Sequence, residues 1–367
     1  MKKNLSAILF IFLLAGVSAM AQGAAVSKIE PRVWMCKGNF AELAAVDQRT
    51  WRFVQAYCKV IKVYIDEIPK VRIEDLRKFA ELCAANRIEV AVECAGLCDW
   101  RSSAGKNTAK LSFQDEFAKV KRYIKPVEEG GAGGKIKYLD MDHPITRLIY
   151  QTVNGRETKA DFHTLGSASD QLVEVMKLWR DKIPDIEFCF LTNFPNYGWA
   201  DYPAYHAWDF TGEGEKGYYD AKAELETVIK KTAAAGIPLK GITVDNPYDY
   251  ATGQHFSNQP SVTTGVDWVQ RLRDLQDFCK QNKLEFGLIF NSERAGSEGS
   301  GSDELYFKET LDFVDLYCST GSIPDYYIIQ SWYKHPSAYV PETEPYTMTN
   351  LVMEVILKLR PDVKVFK

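Results

Sequence analysis

The amino-acid sequence predicts a closed (β/α)8 barrel of the TIM type, built as a single domain, and three observations carry that prediction. Eight short apolar runs of strand character are each followed by a run with helical spacing. A βα alternation of this kind calls for a parallel sheet, because parallel neighbours need long crossover connections and not hairpins. The chain beyond its first 21 residues has the length usual for such barrels, and no composition break divides it. A doubly wound open sheet is the alternative, but the GxGxxG that marks a dinucleotide site is absent after the first strand.

Residues 1–21 combine a Lys2-Lys3 start, an apolar run from Leu5 to Val17, and small residues at Ala19 and Ala21. That is the tripartite form of a signal peptide, with cleavage expected after Ala21, so a secreted or periplasmic location follows. The apolar run is shorter than the roughly 20 residues a spanning helix needs, and no membrane association is expected once it is removed. Residues 22–367 then form the barrel.

The first strand is Arg32 to Gly38, followed by helical spacing over Phe40 to Tyr57. The second, Cys58 to Asp66, alternates Ile61, Val63 and Ile65 with Lys62, Tyr64 and Asp66, which therefore face opposite sides. A helix is expected over Ile73 to Asn86. The third strand, Arg87 to Gly96, puts Glu89, Ala91 and Glu93 on one face. After a small-residue loop and a helix over Phe113 to Val127 comes KIKYLDMDHP, Lys135 to Pro144, the fourth strand, in which Asp140 and Asp142 share a face. The connection from Pro144 to Gly166 is long enough to hold an extra element, and a helix follows over Ser167 to Lys182.

The fifth strand is Glu187 to Phe194, ending at Asn193, and the loop Pro195 to Gly217 is the most aromatic in the chain. A helix over Tyr218 to Ala235 leads to the sixth strand, Gly241 to Pro247, with Thr243 and Asp245 inward. The helix Val266 to Gln281 precedes the seventh strand, Glu285 to Glu293, and the helix Asp303 to Cys318 precedes the eighth, Tyr326 to Tyr333. A last helix spans Thr347 to Leu359.

Composition narrows the partners. A net charge of -4 and the lack of any Lys/Arg-rich run give no field for nucleic acid. With 8 Trp, 19 Tyr and 19 Phe the chain has rings to stack on sugars, though a large core uses them too. The 8 cysteines sit in apolar runs without a dense framework, so most are expected as buried thiols, with one bridge allowed for. The 5 His show neither HxH nor HExxH and zinc spacing is absent, so no metal and no cofactor are expected. Oligomeric state is left open.

In such barrels the reacting groups come from the C-terminal strand ends. The inward polar residues there are Asp66, Glu93, Asp140, Asp142, Asn193, Asp245, Asn291, Glu293, Gln330 and Trp332, nearly one per strand. Barrel interiors are otherwise apolar, and an unpaired buried carboxylate costs several kcal/mol, so a ring of acids marks a cleft. Paired carboxylates facing a cleft suit glycosidic cleavage, one protonated and one ionised, because crowded like charges drive their pKa values apart. A separation of about 5 to 5.5 Å would mean retention and about 6.5 to 9.5 Å inversion.

The segment KYLDMD resembles the fourth-strand nucleophile segment of retaining α-galactosidase-like glycoside hydrolases, in which an Asp closes a run of the type KYLKxD. That resemblance implies a TIM-barrel glycosidase with its nucleophile on Asp142 and its acid/base on Asp245. The large superfamily with acids on strands four and seven would use Glu293 instead, but it has an Asn-Glu pair on strand four where this chain has Met141-Asp142.

The expected function is an exported glycoside hydrolase acting on an oligo- or polysaccharide. Asp142 is its nucleophile or base, Asp245 its general acid, and Glu293 the competing acid. Asp140, Glu93, Asn193 and Asn291 are expected to orient substrate, and Trp199, Tyr248 and Trp332 to stack on it. Two other classes fit the same acids: a metal-dependent lyase or phosphodiester hydrolase, and a barrel that binds glycans without cleaving them.

Overall fold

The computed structural model describes residues 32–97, 108–153, 156–159, 163–200, 204, 220–254 and 267–365. The expected signal peptide, Cys98 and most of the aromatic loop beyond Ala200 lie outside these residues. Ten strands are described: β1 (Arg32–Lys37), β2 (Cys58–Tyr64), β3 (Glu89–Cys94), β4 (Tyr138–Asp142), β5 (Tyr150–Val153), β6 (Arg156–Lys159), β7 (Glu187–Asn193), β8 (Gly241–Asp245), β9 (Glu285–Phe290) and β10 (Tyr326–Ser331). The helices are α1 (Glu42–Ala45), α2 (Arg52–Tyr57), α3 (Ile73–Asn86), α4 (Thr108–Ile124), α5 (Thr146–Ile149), α6 (Leu165–Lys182), α7 (Ala221–Ala234), α8 (Tyr248–Ala251), α9 (Trp268–Gln281), α10 (Glu293–Gly296), α11 (Asp303–Ser319) and α12 (Met348–Leu359).

All strands but β5 and β6 close into one parallel barrel in the order β1-β10-β9-β8-β7-β4-β3-β2, so the predicted (β/α)8 architecture holds. The extra element expected between Pro144 and Gly166 is α5 followed by the antiparallel hairpin β5-β6. The helix expected over 40–57 is broken. Val46 is extended, and the Asp47 carboxylate accepts from the Arg49 N–H at 3.0 Å, which starts a separate turn before α2.

Alternation along each strand builds two apolar shells. One face packs outward on the helices through residues such as Ile61, Val63, Val90, Val92, Phe188, Phe190, Ile242 and Val244, all buried. The other fills the barrel with Trp34, Val60, Ala91, Tyr138, Cys189, Leu191, Ile289, Tyr326 and Ile328. The Trp34 ring lies 5.0 Å from Tyr138 and 4.7 Å from Tyr326. Gly287 makes room for this stack, since a Cβ there would sit 3.1 Å from Ile328 and 3.2 Å from Tyr326.

Several helices start on a residue whose side chain caps them, among them the four long helices that follow β7, β8, β9 and β10. Asp220, Asp267, Ser302 and Thr347 accept from backbone N–H groups at the starts of α7, α9, α11 and α12, worth about 1 kcal/mol each. The seven described cysteines are free thiols, six of them buried, as expected for small apolar fillers.

Candidate active site

The barrel interior stops being apolar one layer below the C-terminal strand ends. Lys62 on β2 is fully buried, and its Nζ donates to Asp140 Oδ2 and Glu93 Oε2, each at 2.7 Å. Thr243 on β8 donates to the other Asp140 oxygen at 2.6 Å. Asp140 thus has both oxygens bonded and no exposure. This corrects the expectation that it touches substrate: one step deeper in the strand than Asp142, it is the anchor of Lys62. Desolvation opposes the Lys62 charge, but Asp140 and Glu93 outweigh it and hold the ammonium well above the ordinary lysine range.

Glu93 pairs in register with Asp140 from β3. Its Oε2 also accepts from Gln330 of β10 at 3.0 Å, although β1 and β2 stand between β10 and β3. Burial pushes the Glu93 carboxyl up, against the pull of Lys62. Asp142, at the end of β4, is turned to its own loop: His143 Nδ1 lies 2.7 Å from Oδ1, and Arg147 donates to Oδ2 at 2.7 Å. Burial alone would raise its pKa, but His143 and Arg147 hold it down at about 2.

Asp245 is the counterpart. It ends β8, is only 8 % exposed, and accepts from Asn291 Nδ2 at 3.1 Å through Oδ1. Among the described residues no cation touches it. Burial raises its carboxyl to about 7, the charges of Glu93 and Asp142 add to the rise, and Asn291 only partly offsets it. Below about pH 7 the cleft therefore holds a protonated Asp245 together with an ionised Asp142, the arrangement that acid-assisted bond cleavage requires.

The remaining candidates divide. Asn291 is buried and orients Asp245, and Asn193 pairs in register with Asp245 from β7. Glu293 opens α10 beyond the end of β9, and its Oε2 accepts from the Tyr250 hydroxyl at 2.9 Å. Trp332, just past β10, is 60 % exposed with its ring 5.2 Å from Tyr333, an open aromatic face following a strand end.

Three further expectations are corrected. Asp66 follows the last residue of β2, where a 3-10 turn over Ile65–Lys70 ends the alternation; its exposed carboxylate pairs with Lys119 at 3.0 Å, outside the barrel. Trp199 is 4 % exposed and packs edge-on against Phe194 and Phe278, so it is wall and not stacking surface. Tyr248 lies toward α11, 6.1 Å from Phe313. In the short helix α8 the residue two further on points the other way, and so Tyr250 meets Glu293 instead.

Lys62, His143, Arg147 and Tyr250 were not singled out from the sequence as site residues. Lys62 carried a signal, because its strand parity is inward and an interior lysine must be matched by acids. Among the described residues, no group of three or more His, Cys, Asp or Glu side chains is placed to share a metal ion.

No protein-family model and no curated protein matches the chain. Among solved structures it is similar to a psychrophilic glycoside hydrolase family 10 endo-β-1,4-xylanase, at 10% identity over 89% of this chain and 97% of that one, with a TM-score of 0.46. An intracellular xylanase from Thermoanaerobacterium saccharolyticum is similar at 9% identity over 83% and 86%, with a TM-score of 0.45. D-psicose 3-epimerase from Clostridium cellulolyticum is similar at 7% identity over 91% and 99%, with a TM-score of 0.43. Hydrolases and an epimerase both occur in this set, and at these scores it assigns no reaction.

Proposed function

We propose that the protein is an exported glycoside hydrolase that cleaves an oligo- or polysaccharide between carboxyl groups at the mouth of the barrel. In this reading Asp245 is the general acid, and Asp142 is an ionised carboxylate that acts with it. The observation that carries it is the split environment: Asp245 is buried with no cation touching it among the described residues and is raised to about 7, while Asp142 is clamped by His143 and Arg147 and lowered to about 2. A carboxyl that keeps its proton to neutral pH can give it to a leaving alkoxide; its ionised neighbours stabilise the oxocarbenium charge that develops as the bond breaks.

Asp245 is preferred to Glu293 because it stands among the strand ends with the other acids, whereas Glu293 lies on a loop helix against Tyr250. Trp332 supplies the exposed ring against which the apolar face of a sugar stacks. Export rests on the signal-like residues 1–21.

The test is turnover of a glycan panel by the mature chain and by D142N and D245N. Losses of about 10²- to 10⁴-fold in D245N on unactivated glycans are expected from removal of a general acid. Full activity in both variants would end the assignment, and saturable glycan binding with no product from the wild type would favour a non-catalytic barrel.

A further inference from the structure

Resting on the glycosidase reading above, we infer that the carboxylate which reacts at the anomeric carbon is Glu93, and that Asp142 is a fixed negative charge beside it. The geometry separates the two. Asp142 spends one oxygen on His143 and the other on Arg147, at 2.7 Å each, and points along its own loop. Each oxygen thus already accepts a charge-assisted hydrogen bond, which draws electron density from it and leaves it less open to attack than an unbonded carboxylate oxygen.

Glu93 is built the other way. Lys62 Nζ at 2.7 Å and Gln330 Nε2 at 3.0 Å both hold Oε2, and no described residue bonds Oε1. One oxygen is pinned and the other is left with its lone pairs open, while the side chain keeps 16% of its exposure. A carboxylate that must be positioned and yet remain reactive needs this division of labour. The reach of Gln330 from β10 also draws the Glu93 carboxylate into the barrel interior, where it shares the buried Lys62 ammonium with Asp140.

Charge assigns the roles of Glu93 and Asp245. Glu93 touches an ammonium, which favours its ionised form against the effect of burial, and among the described residues Asp245 is bonded only by the Asn291 amide. A proton shared between them therefore rests on Asp245. In the direct form of the step, a Glu93 Oε1 lone pair bonds the anomeric carbon as the glycosidic C–O bond breaks, and its electrons take the Asp245 proton. Water then attacks the glycosyl ester, gives its proton to the Asp245 carboxylate and releases Glu93. In the water-mediated form, Glu93 Oε1 takes a proton from water while that water's oxygen bonds the anomeric carbon, and Asp245 again protonates the leaving oxygen. The anomer of the first product separates the two forms.

The experiment compares E93A, E93Q and D142A on a nitrophenyl glycoside that the wild type turns over, with and without sodium azide. E93A is expected to fall on the order of 10³-fold, and azide, too small to need the lost carboxylate, to restore at least about tenfold with glycosyl azide as product. D142A is expected to lose roughly 10- to 100-fold and to gain nothing from azide, and E93Q to stay inactive with a wild-type circular dichroism spectrum. Rescue can occur only in folded protein, so an unfolded E93A is recognised and E93Q then decides. Activity of E93A or E93Q within about tenfold of wild type, or azide rescue of D142A and not of E93A, overturns the inference while leaving the glycosidase reading intact. A wild type that turns over no glycoside on the panel ends that reading, and this inference with it.

Discussion

Asp140 and Asp142 share one face of one strand, and two residues of depth give them different tasks. The deeper acid meets Lys62 and Thr243 in a layer closed to solvent; the outer one meets His143 and Arg147 at the rim. The period-2 pattern of β4 made their common direction legible, and the same parity pointed Glu93, Thr243, Asp245 and Asn291 inward. Which acid is paired with which was not legible, because Lys62, Gln330 and Arg147 come from other strands and from the short helix α5. Lys62 gives the sharpest residue-scale prediction. K62M leaves Asp140 and Glu93 as neighbouring buried acids without a cation, and is expected to destabilise the fold by about 3–5 kcal/mol in chemical denaturation. A loss under about 1 kcal/mol would mean that the ammonium is not what neutralises this layer.

At the scale of elements, strands and long helices were readable because their apolar periods are unambiguous, and the loops were not. Trp199 and Tyr248 looked like sugar platforms from composition alone, yet Trp199 fills the gap between β7 and α9 and Tyr248 turns to α11. Loop chemistry depends on carboxylates that hold backbone from a distance. Asp249 accepts from the Glu293 and Arg294 N–H groups at 3.0 and 3.3 Å, fixing the start of α10 from the β8 loop. Glu342 accepts from the Phe53 and Val54 N–H groups at 3.1 and 3.0 Å, tying the segment after β10 to the start of α2. E342A strands those two donors and should cost about 1–3 kcal/mol in unfolding. Because Glu342 lies away from the carboxylate ring, kcat on a turned-over glycoside should stay within about twofold of wild type, an estimate from additivity of distant sites. A larger fall in kcat would show that the barrel seam shapes the site.

For the molecule as a whole, closure of the barrel brings acids from β3, β4 and β8 to one mouth, and the consequence is a distinctive pH dependence. Asp245 has an ordinary value of 3.8 and Glu116 of 4.5, and both rise to about 7 in the fold. Burial is the main cause in each, even though Glu116 accepts from the Ala95 and Gly96 N–H groups just beyond β3. Folded chains hold these protons where unfolded chains have released them, so stability falls as pH rises from about 4 to about 7. Asp142, lowered to about 2, acts in the opposite sense and loses its stabilisation only as pH falls below 3.8. E116Q removes one titrating group and is expected to flatten the decline between pH 4.5 and 7 by roughly 3 kcal/mol, read from unfolding curves at a series of pH values. An unchanged slope would place the Glu116 proton elsewhere.

The same placement of protons governs catalysis, and the pH dependence of kcat/KM for wild type and D245N on paired substrates tests it most directly. With an unactivated glycan, the wild-type rate should fall on the alkaline side with an apparent pKa near 7, and D245N should be nearly inactive with that limb absent. With a dinitrophenyl glycoside, whose leaving group needs no proton, D245N should recover most of the lost rate. Wild-type turnover of the unactivated glycan by D245N, with the alkaline limb still in place, would contradict the assignment of Asp245 as the acid.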